Sequence, residues 1–432
     1  MLSHKGILVR LHPTVEQIKL LEQMVGCCRV VYNTALDQRR WFARTGRNIN
    51  YAAQAGELSE FKEEFDWMRT APHHCLQQAL VDLQSAYTNF WSGRAGSPKH
   101  KKRGADDSMR FPDPKQIKLS GDFSTPEKER KKKHKEAVLT LPKLGAIDCV
   151  LHRQITGKIC SVTVRRDGKH WVASIAVESE VALPEDRSTQ AVVGIDVGIA
   201  QPVVLSTGEK YALPKSTKGD LEHQAQLQRQ ISSKKKGSKN RRKAVQHLAN
   251  FKAKQARRRR DAQEKVTTAI ANNHGVVAME ALSIKNMTAS AAGTIEDPGK
   301  NVAQKSGLNR SMLDVALGSF RLRLGQKLAA SGGMLLLVPA HYTSQRCSVC
   351  GHIEAANRAT RDHFQCVKCG HSEDADYNAA INIRDKAKGV WGDGDKAQIS
   401  ASLAMLLKQQ AKPKRSFKKK KAAGFAASAC GA

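Results

Sequence analysis

The sequence has no apolar run of the roughly 20 residues that a membrane-spanning helix needs. It also lacks an apolar N-terminal stretch typical of a secretory signal, because Met1–Arg10 passes directly into a strand-like pattern. No regular spacing of the kind found in disulfide frameworks relates six of the ten cysteines: Cys27, Cys28, Cys75, Cys149, Cys160 and Cys430. We therefore expect an intracellular protein in a reducing compartment, without a membrane partner.

Acidic residues are scarce, since 40 Asp and Glu stand against 72 Lys and Arg and leave a formal charge of +32. Such an excess opposes a compact fold unless a polyanion neutralises it. Nucleic acid is the obvious polyanion, because cations on its phosphates release condensed counterions; an acidic membrane surface is the alternative. The segment Ser216–Arg260 alone holds 15 Lys and Arg against two acids, and its long helical pattern predicts a surface for a phosphate backbone.

The order of the elements predicts an N-terminal helical part, a small β-barrel and an RNase H-like α/β domain. Thr14 and Gln17 have capping-box spacing before a helix, and Cys75–Trp91 has helical periodicity. Asp167-Gly168 predicts a hairpin between two strands. The later part gives strand, hairpin, helix, strand, helix and strand, with single helices predicted over Ser216–Arg260 and Leu308–Ala330.

Three carboxylates fall at the ends of predicted elements: Asp196 after VVGI, Glu280 after VVAM, and either Asp374 or Asp376. Hydrolysis of a phosphodiester must stabilise charge on both the attacking and the leaving oxygen, which two Mg²⁺ ions held by carboxylates can do. Strand ends offer rigid positions for such ligands, and Gly194 and Gly198 leave room for a phosphate to approach. The choice between the two last aspartates stays open, because either could contact metal or cap the following helix.

Two CxxC pairs separated by fifteen residues, each followed by glycine, match the spacing of a ribbon-type zinc site. The predicted ligands are Cys347, Cys350, Cys366 and Cys369. Four thiolates leave no open coordination position, so this Zn²⁺ is expected to be structural. A pair of disulfides is the alternative, which a reducing compartment disfavours.

Several motifs together resemble the TnpB proteins of small bacterial insertion sequences, which are relatives of type V CRISPR effectors. They are KGILVRLHPTVEQ with GCCRVVYN, GIDVG around Asp196, MEAL after Val277, LNRSMLD, the two CxxCG strings and DADYNAAINI. The resemblance implies an RNA-guided endonuclease whose RuvC-like domain cuts double-stranded DNA beside a short recognised motif. It implies a guide RNA from the transposon end, with one protein per guide. The expected location is the bacterial cytoplasm, at the nucleoid when the protein is bound to DNA.

The resemblance also assigns roles to residues. It selects Asp376 as the third catalytic carboxylate beside Asp196 and Glu280, and makes Asp374 and Asn378 auxiliary. It implies two Mg²⁺ ions, for which Mn²⁺ can substitute, and one structural Zn²⁺. Nucleic-acid contacts are expected from the polar face of the helix Cys75–Trp91 and from the basic segments. The candidates are Gln77, Gln78, Lys99, Lys101, Lys102, Arg103, Arg241, Arg242, Arg257 and Arg258.

Seven segments follow from these patterns and from the resemblance. Residues 1–12 give the first strand of a wedge-type β-barrel, 13–108 a helical recognition domain, and 109–182 the rest of the barrel with a basic insertion at about 123–136. Residues 189–340 and 374–390 form the nuclease domain around a zinc ribbon at 341–373, and 391–432 a basic, disordered tail. The alternatives are a miniature type V CRISPR effector with a guide from a repeat array, a transposase that joins DNA ends without RNA, and a DNA-binding regulator with an idle site.

Overall fold

A computed structural model describes residues 2–104, 107–121, 135–151, 153–199, 203–294, 296–389 and 398–399. The predicted basic insertion up to residue 134, and the predicted tail apart from residues 398–399, lie outside this part. The chain divides into two compact units: Met1–Leu183 with Thr217–Arg257, and Pro184–Ser216 with Arg258–Ala432. The sequence-based boundaries assign Thr217–Arg257 to the nuclease domain, and those boundaries stay a proposal.

The first unit combines helices with a seven-stranded antiparallel sheet. Its strands are β1 (Leu2–His12), β2 (Ser108–Phe111), β3 (Lys118–Gly121), β4 (Lys135–Leu141), β5 (Gly145–Leu151), β6 (Lys158–Asp167) and β7 (His170–Glu180). Its helices are α1 (Val15–Arg44), α2 (Tyr51–Gly56), α3 (Leu58–Glu64), α4 (His73–Trp91), α5 (Lys218–Ser232) and the first part of α6 (Lys239–Asn273). The sheet order is β2-β6-β7-β1-β5-β4-β3. No pairing between its two edges is present among the described residues, so a closed barrel stays a prediction.

Local sequence signals explain much of this unit. The Thr14 hydroxyl and the Gln17 side chain form the predicted capping box at the start of α1. The turn at Asp167-Gly168 joins β6 to β7, and Gly168 adopts the left-handed φ of +63° that such a turn requires. Four of the scattered cysteines are buried in the core as small apolar side chains: Cys27, Cys28, Cys75 and Cys149.

The second unit is an α/β layer structure around a six-stranded sheet of order β10-β9-β8-β11-β12-β15. Its strands are β8 (Val192–Asp196), β9 (Val203–Leu205), β10 (Lys210–Tyr211), β11 (Val276–Glu280), β12 (Met334–Val338), the separate hairpin β13 (His363–Gln365) and β14 (Ser372–Asp374), and β15 (Gln398–Ile399). Its helices are the rest of α6, α7 (Ile284–Met287), α8 (Val302–Val315), α9 (Leu317–Ala330) and α10 (Ala375–Ala387). Strands β8, β11 and β12 are mutually parallel, which places their carboxyl ends at one edge.

Two predicted helices are interrupted. The segment predicted as one helix over Ser216–Arg260 forms α5 and α6, with a break between them, and α6 continues to Asn273. The break falls on a run of lysine and serine with Gly237 at φ +85°, where a left-handed residue ends helical geometry.

The helix predicted over Leu308–Ala330 is also wrong as a single element, because Ala316 has a φ of +56° and divides α8 from α9. The buried amide of Gln263 donates to the carbonyls of Val315 and Ala316 and satisfies the end of α8. Leu313, in the last turn of α8 before this break, is 59% exposed.

In the part of the chain that the structure describes, no helix is both long enough and apolar enough to cross a bilayer.

Candidate active site

Asp196 and Glu280 lie at the carboxyl ends of neighbouring parallel strands. In the register of β8 and β11, Ile195 is opposite Met279, so the two acidic residues directly follow one matched pair. The strands that precede them are buried and apolar, which fixes the backbone from which each carboxylate projects. The strand-end positions predicted from the sequence are confirmed by this register.

Helix α10 carries Asp376 and packs directly on β8. A methyl group at Gly194 would come within 2.0 Å of the Ala380 carbonyl oxygen and 2.6 Å of the Arg384 amide nitrogen. Glycine at this position therefore serves the close approach of helix to strand, and not the approach of a phosphate, as the sequence had suggested. The contact brings the first turn of α10 to the strand ends that hold the other two carboxylates.

The two aspartates at the start of α10 have different surroundings. The Asp374 carboxylate accepts hydrogen bonds from the amides of Asp376 and Tyr377, so it is the N-cap of α10. Its other oxygen lies 2.8 Å from Lys210 Nζ. Burial would raise the pKa of Asp374, but Lys210 and the helix amides hold it below its ordinary value. Asp376, in contrast, has its pKa raised by burial, against the nearby Arg358 charge.

Asp196 is affected by the charges of both other carboxylates. Burial, followed by the charges of Glu280 and Asp376, raises the pKa of Asp196 to about 7. Burial also raises the pKa of Glu280, and a hydrogen bond from Thr343 opposes that shift. Like charges are brought together here at a cost in free energy, which a bound cation would offset. Three hard oxygen ligands with excess negative charge fit a divalent ion such as Mg²⁺.

Three further polar side chains touch this cluster, and no sequence motif pointed to them. Arg358 Nη2 lies 3.4 Å from Asp376 Oδ1, and the Arg358 charge lowers the pKa of all three carboxylates. The Thr343 hydroxyl donates to Glu280. Lys386 is 1% exposed, contacts the His341 carbonyl and exerts its charge on Glu280. Arg358 ends a short 3₁₀ helix (Ala355–Arg358) and Thr343 lies in a turn, and neither belongs to a spaced motif, so spacing could not identify them.

The four predicted cysteines converge. Their sulfur atoms all lie within 4.8 Å of one another, with Cys347–Cys369 at 3.7 Å and Cys350–Cys366 at 3.6 Å. A tetrahedral Zn²⁺ with bonds of about 2.3 Å would separate its sulfur ligands by about 3.8 Å. The sulfurs are too far apart for the alternative disulfides, and their spacing fits a Cys₄ metal site.

The two cysteine turns have the same backbone geometry. The amide of Cys347 donates to the His352 carbonyl at 2.8 Å, and that of Cys366 donates to the His371 carbonyl at 2.8 Å. The predicted glycines, Gly351 and Gly370, both have a φ of +75°. Although burial opposes it, the backbone amides of Cys369 and Lys368 lower the pKa of Cys366 to about 6. The backbone thus favours the thiolate form at Cys366. Burial raises the pKa of Cys347, and, although a backbone hydrogen bond from His371 opposes it, the neighbouring thiols raise the pKa of Cys369.

Asparagines on α10 tie the cysteine cluster to the carboxylates. Asn378 is fully buried; its amide group donates to the Arg346 carbonyl at 2.9 Å and accepts from the Ser348 amide at 3.0 Å. One turn later, Asn382 donates to the carbonyls of Thr343 and Arg346. The predicted auxiliary residue Asn378 therefore holds the loop that carries Thr343 and leads into the first cysteine turn.

The predicted nucleic-acid contacts differ in how far the protein itself engages them. Lys101 Nζ lies 4.4 Å from the centre of the Tyr32 ring, and Gln78 bonds to Asp82 on the same helix at 3.4 Å. Three of the predicted arginines contact protein groups: Arg241 the Ile231 carbonyl, Arg257 the Asp167 carboxylate and Arg258 the Lys215 carbonyl. Lys99, Lys102, Arg103 and Arg242 are exposed, and Gln77 is half-buried.

Three protein-family profiles match the chain. They are the OrfB_IS605 family, described as "Probable transposase", over residues 174–291, the Cas12f1-like TNB domain over 318–383 and an OrfB_IS605 helix-turn-helix domain over 1–47. In this structure the last of these ranges forms strand β1 and the single long helix α1.

Similar proteins cover nearly the whole chain. The chain is 38% identical to the "Putative RNA-guided DNA endonuclease InsQ" of Escherichia coli K12, over 91% of this chain and 95% of that protein. It is 31% identical to a "Putative RNA-guided DNA endonuclease" of Streptomyces pristinaespiralis, over 91% and 92% of the two chains. A solved Cas12f1–sgRNA–target DNA complex matches with a TM-score of 0.51 at 15% identity, covering 89% of this chain and 99% of that one, which shows a common multidomain α/β fold.

Proposed function

Because this chain belongs to the OrfB_IS605 family, the TnpB proteins, we propose that it is an RNA-guided, metal-dependent DNA endonuclease. It would bind a guide RNA derived from a transposon end, recognise a short motif beside its target and cleave double-stranded DNA. The observation that carries the proposal is the meeting of Asp196, Glu280 and Asp376, from three distant segments, at one edge of an α/β sheet.

The three carboxylates would hold two Mg²⁺ ions. When bound, these ions stabilise the charge on the attacking and leaving oxygens of the phosphodiester. Thr343 orients Glu280 through its hydroxyl hydrogen bond. We assign Arg358 to the scissile phosphate, because its guanidinium lies against Asp376 and planar N–H donors suit phosphate oxygens.

Asp376, and not Asp374, is the proposed third ligand. The charge of Asp376 raises the pKa of Asp196, which requires the two groups to be close. Asp374 is engaged by the helix amides and by Lys210, so its part is to fix the start of α10.

The Cys₄ cluster would bind one structural Zn²⁺, and the ribbon around it spans about 341–373. The predicted recognition domain, wedge barrel and nuclease boundaries are proposed as stated from the sequence. The exposed cations Lys99, Lys102, Arg103 and Arg242 would contact RNA or DNA backbones, because a protein that leaves sequence recognition to guide pairing needs many phosphate contacts. Arg241, Arg257 and Arg258 bond to the Ile231 carbonyl, the Asp167 carboxylate and the Lys215 carbonyl, and are proposed as further contacts.

A miniature CRISPR effector is the second candidate. Similarity to the "CRISPR-associated endodeoxyribonuclease Cas12f1" of Sulfoacidibacillus thermotolerans favours it, at 27% identity over 60% of this chain. The two candidates share the nuclease chemistry and differ in the origin of the guide.

Sequencing the RNA that co-purifies with the full-length protein tests both. A discrete RNA that starts in the transposon end and finishes in a variable segment of about 20 nucleotides supports the proposal. An RNA containing a CRISPR repeat would instead identify the second candidate. A protein without RNA that cleaves target DNA equally well would overturn both.

A further inference from the structure

A cluster of metal-binding side chains lies on the outer face of the first unit's sheet. His4 is on β1, Glu178 on β7 and Cys160 on β6, which are three adjacent strands. The ligand atoms of these residues all lie within 4.8 Å of one another, and His4 Nε2 is 3.6 Å from Glu178 Oε2. None of them belongs to the carboxylate site or to the Cys₄ cluster.

The backbone explains why these three side chains meet. His4 and Glu178 are directly opposite in the register of β1 and β7. The pairing of β6 with β7 shifts between Ile159 and Ser161, so Cys160 is an extra residue in a β-bulge. In a β-bulge the extra side chain departs from the regular alternation of side chains between the two faces of the sheet. Since Val177 is buried in the core, its neighbour Glu178 faces outward, and Cys160 shares that face.

We propose that His4, Cys160 and Glu178 bind a transition-metal ion of borderline softness, such as Zn²⁺ or Co²⁺. Imidazole, thiolate and carboxylate together suit these ions, whereas Mg²⁺ prefers oxygen ligands alone. Two tetrahedral ligands at about 2.1 Å from a metal are about 3.4 Å apart, close to the His4–Glu178 separation. Three protein ligands leave a fourth position for water. The ion would join the ends of three strands, including the N-terminal one.

Cobalt binding tests this site in full-length protein that holds one equivalent of Zn²⁺, because four cysteines bind zinc more tightly and the three-residue site is then still open. Titration with Co²⁺ should produce thiolate-to-cobalt absorption that saturates at about one equivalent. Cys160→Ser should remove this absorption, and His4→Ala and Glu178→Gln should weaken binding about tenfold or more. The matched controls are His12→Ala on β1 and Glu180→Gln on β7, which should bind as the unaltered protein does.

Two results would overturn the metal site. One is the absence of any cobalt band in the unaltered protein, which would leave His4 and Glu178 as a surface ion pair. The other is a band of the same intensity and affinity in Cys160→Ser. Glu178→Gln keeps the test valid if the cysteine variant does not fold, since it alters a ligand without touching the bulge.

A second, independent observation concerns Tyr342. Its φ of +62° lies in the left-handed region, which is unfavourable for an aromatic residue, and its side chain is 59% exposed. Its carbonyl accepts hydrogen bonds from the amides of Gln345 and Arg346, both at 3.0 Å, so the turn fixes this backbone. The next residue, Thr343, donates to Glu280. A strained backbone thus presents an exposed ring directly beside the carboxylate site.

We infer that the Tyr342 ring stacks on a base of the single DNA strand that enters the site, which rests on the proposed function. Stacking is available with any base, so it would hold the strand without adding sequence preference. A glycine could form the same turn without strain. The turn alone therefore does not explain why an aromatic residue occupies this position.

Tyr342→Gly and Tyr342→Phe separate the ring from the turn. With single-stranded DNA as the substrate of the RNA-loaded protein, Tyr342→Gly should raise KM about tenfold and change kcat much less. Tyr342→Phe should restore the KM, and Tyr342→Gly should unfold at a higher temperature because strain is relieved. If the unaltered protein cleaves DNA and Tyr342→Gly has the same KM, the stacking is overturned and the proposed function is not. An unaltered protein that cleaves neither single-stranded nor double-stranded target DNA would overturn the proposed function as well.

Discussion

The Cys₄ cluster and the carboxylate cluster, both proposed metal sites, are built in different ways. The cysteines come from two near-identical turns, and backbone amides favour the thiolate of Cys366. The carboxylates come from β8, β11 and α10, and their charges oppose one another in a half-buried site. The first arrangement favours the folded state once metal is bound. In the second arrangement the carboxylates repel one another when no cation is bound. Such raised carboxylate pKa values are typical of catalytic sites.

Cys366→Ser is expected to have the largest effect, since it removes one ligand of the proposed zinc site, and structural zinc contributes folding free energy directly. Structural Zn²⁺ binds with apparent free energies of about 10–16 kcal/mol in small domains. We expect loss of zinc and insoluble or partly unfolded protein, measured by metal content and circular dichroism. Cys160→Ser, in the other unit, leaves all four ligands of the Cys₄ cluster in place, so this control should keep the Cys₄ zinc and stay folded. Soluble Cys366→Ser that cleaves normally would show that the ribbon tolerates three ligands.

Asp196→Asn should abolish cleavage, by about 10³-fold or more, while leaving RNA retention intact. It should also stabilise the metal-free protein by about 2–4 kcal/mol, because it removes a buried charge that repels two others. Cleavage assays, RNA co-purification and chemical unfolding in a chelator measure these effects. Loss of RNA together with cleavage would instead make Asp196 a structural residue.

The same variant has a defined pH dependence. Between the ordinary pKa of 3.8 and the folded value of about 7, the folded chain retains a proton that the unfolded chain releases. The free energy of unfolding of the metal-free protein should therefore fall as pH rises through this window. Asparagine does not titrate, so Asp196→Asn should flatten that slope. An equal slope in both proteins would contradict the raised pKa.

Gly194→Ala tests the close contact between β8 and α10. The added methyl group would meet the Ala380 carbonyl and the Arg384 amide, neither of which can move without the helix. We expect a loss of about 1–3 kcal/mol in stability and a fall in cleavage of up to about 10²-fold as Asp376 is displaced. Gly219→Ala, in a helix with space around the glycine, is the control and should be neutral or stabilising. Equal behaviour of the two variants would contradict the packing argument.

Arg358→Ala should lower the cleavage rate about tenfold or more, since a charge that contacts the proposed phosphate site is lost. It should also shift the acidic limb of the pH–rate profile upward, because the Arg358 charge lowers the carboxylate pKa values. Arg358→Lys keeps the charge and should keep the position of that limb. If the profile of Arg358→Ala does not move, the guanidinium does not act on the carboxylates.

Lys210→Ala should have the smallest effect. The ion pair between Lys210 and Asp374 is partly exposed, and such pairs contribute about 0.2–1 kcal/mol. We expect a cleavage rate within about threefold of the unaltered protein and a higher pKa for Asp374. A large loss would mean that Asp374, and not only the helix cap, takes part in catalysis.

Local patterns in the sequence were sufficient to place β8, β11 and the two cysteine turns. Buried apolar runs and paired cysteines are each compatible with few local structures. The capping box at Thr14 and Gln17 was predictable because it depends only on residues three positions apart. Resemblance, not spacing, selected Asp376.

What the sequence could not show depends on contacts between distant segments. The carbonyls at the break between α8 and α9 accept hydrogen bonds from Gln263, which lies more than fifty residues earlier. The apolar pattern of the sequence continues across this break and therefore does not reveal it. The purpose of Gly194 appears only when α10 is seen against β8. Arg358 contacts Asp376, which lies eighteen residues later and beyond the second cysteine turn. No local sequence pattern predicts this contact.

Helix α10 begins directly after β14, and this has a consequence for exchanging segments between related proteins. Asp374 is both the last residue of the hairpin β13–β14 and the cap of α10, and Asn378 and Asn382 hold the backbone before the first cysteine. Exchanging only the segment between the outermost cysteines would replace Ser348, whose amide donates to Asn378, and would place a foreign turn directly after Arg346. The smallest transplantable block therefore extends from the loop before Thr343 through Asn382. A donor sequence should be joined at those two points.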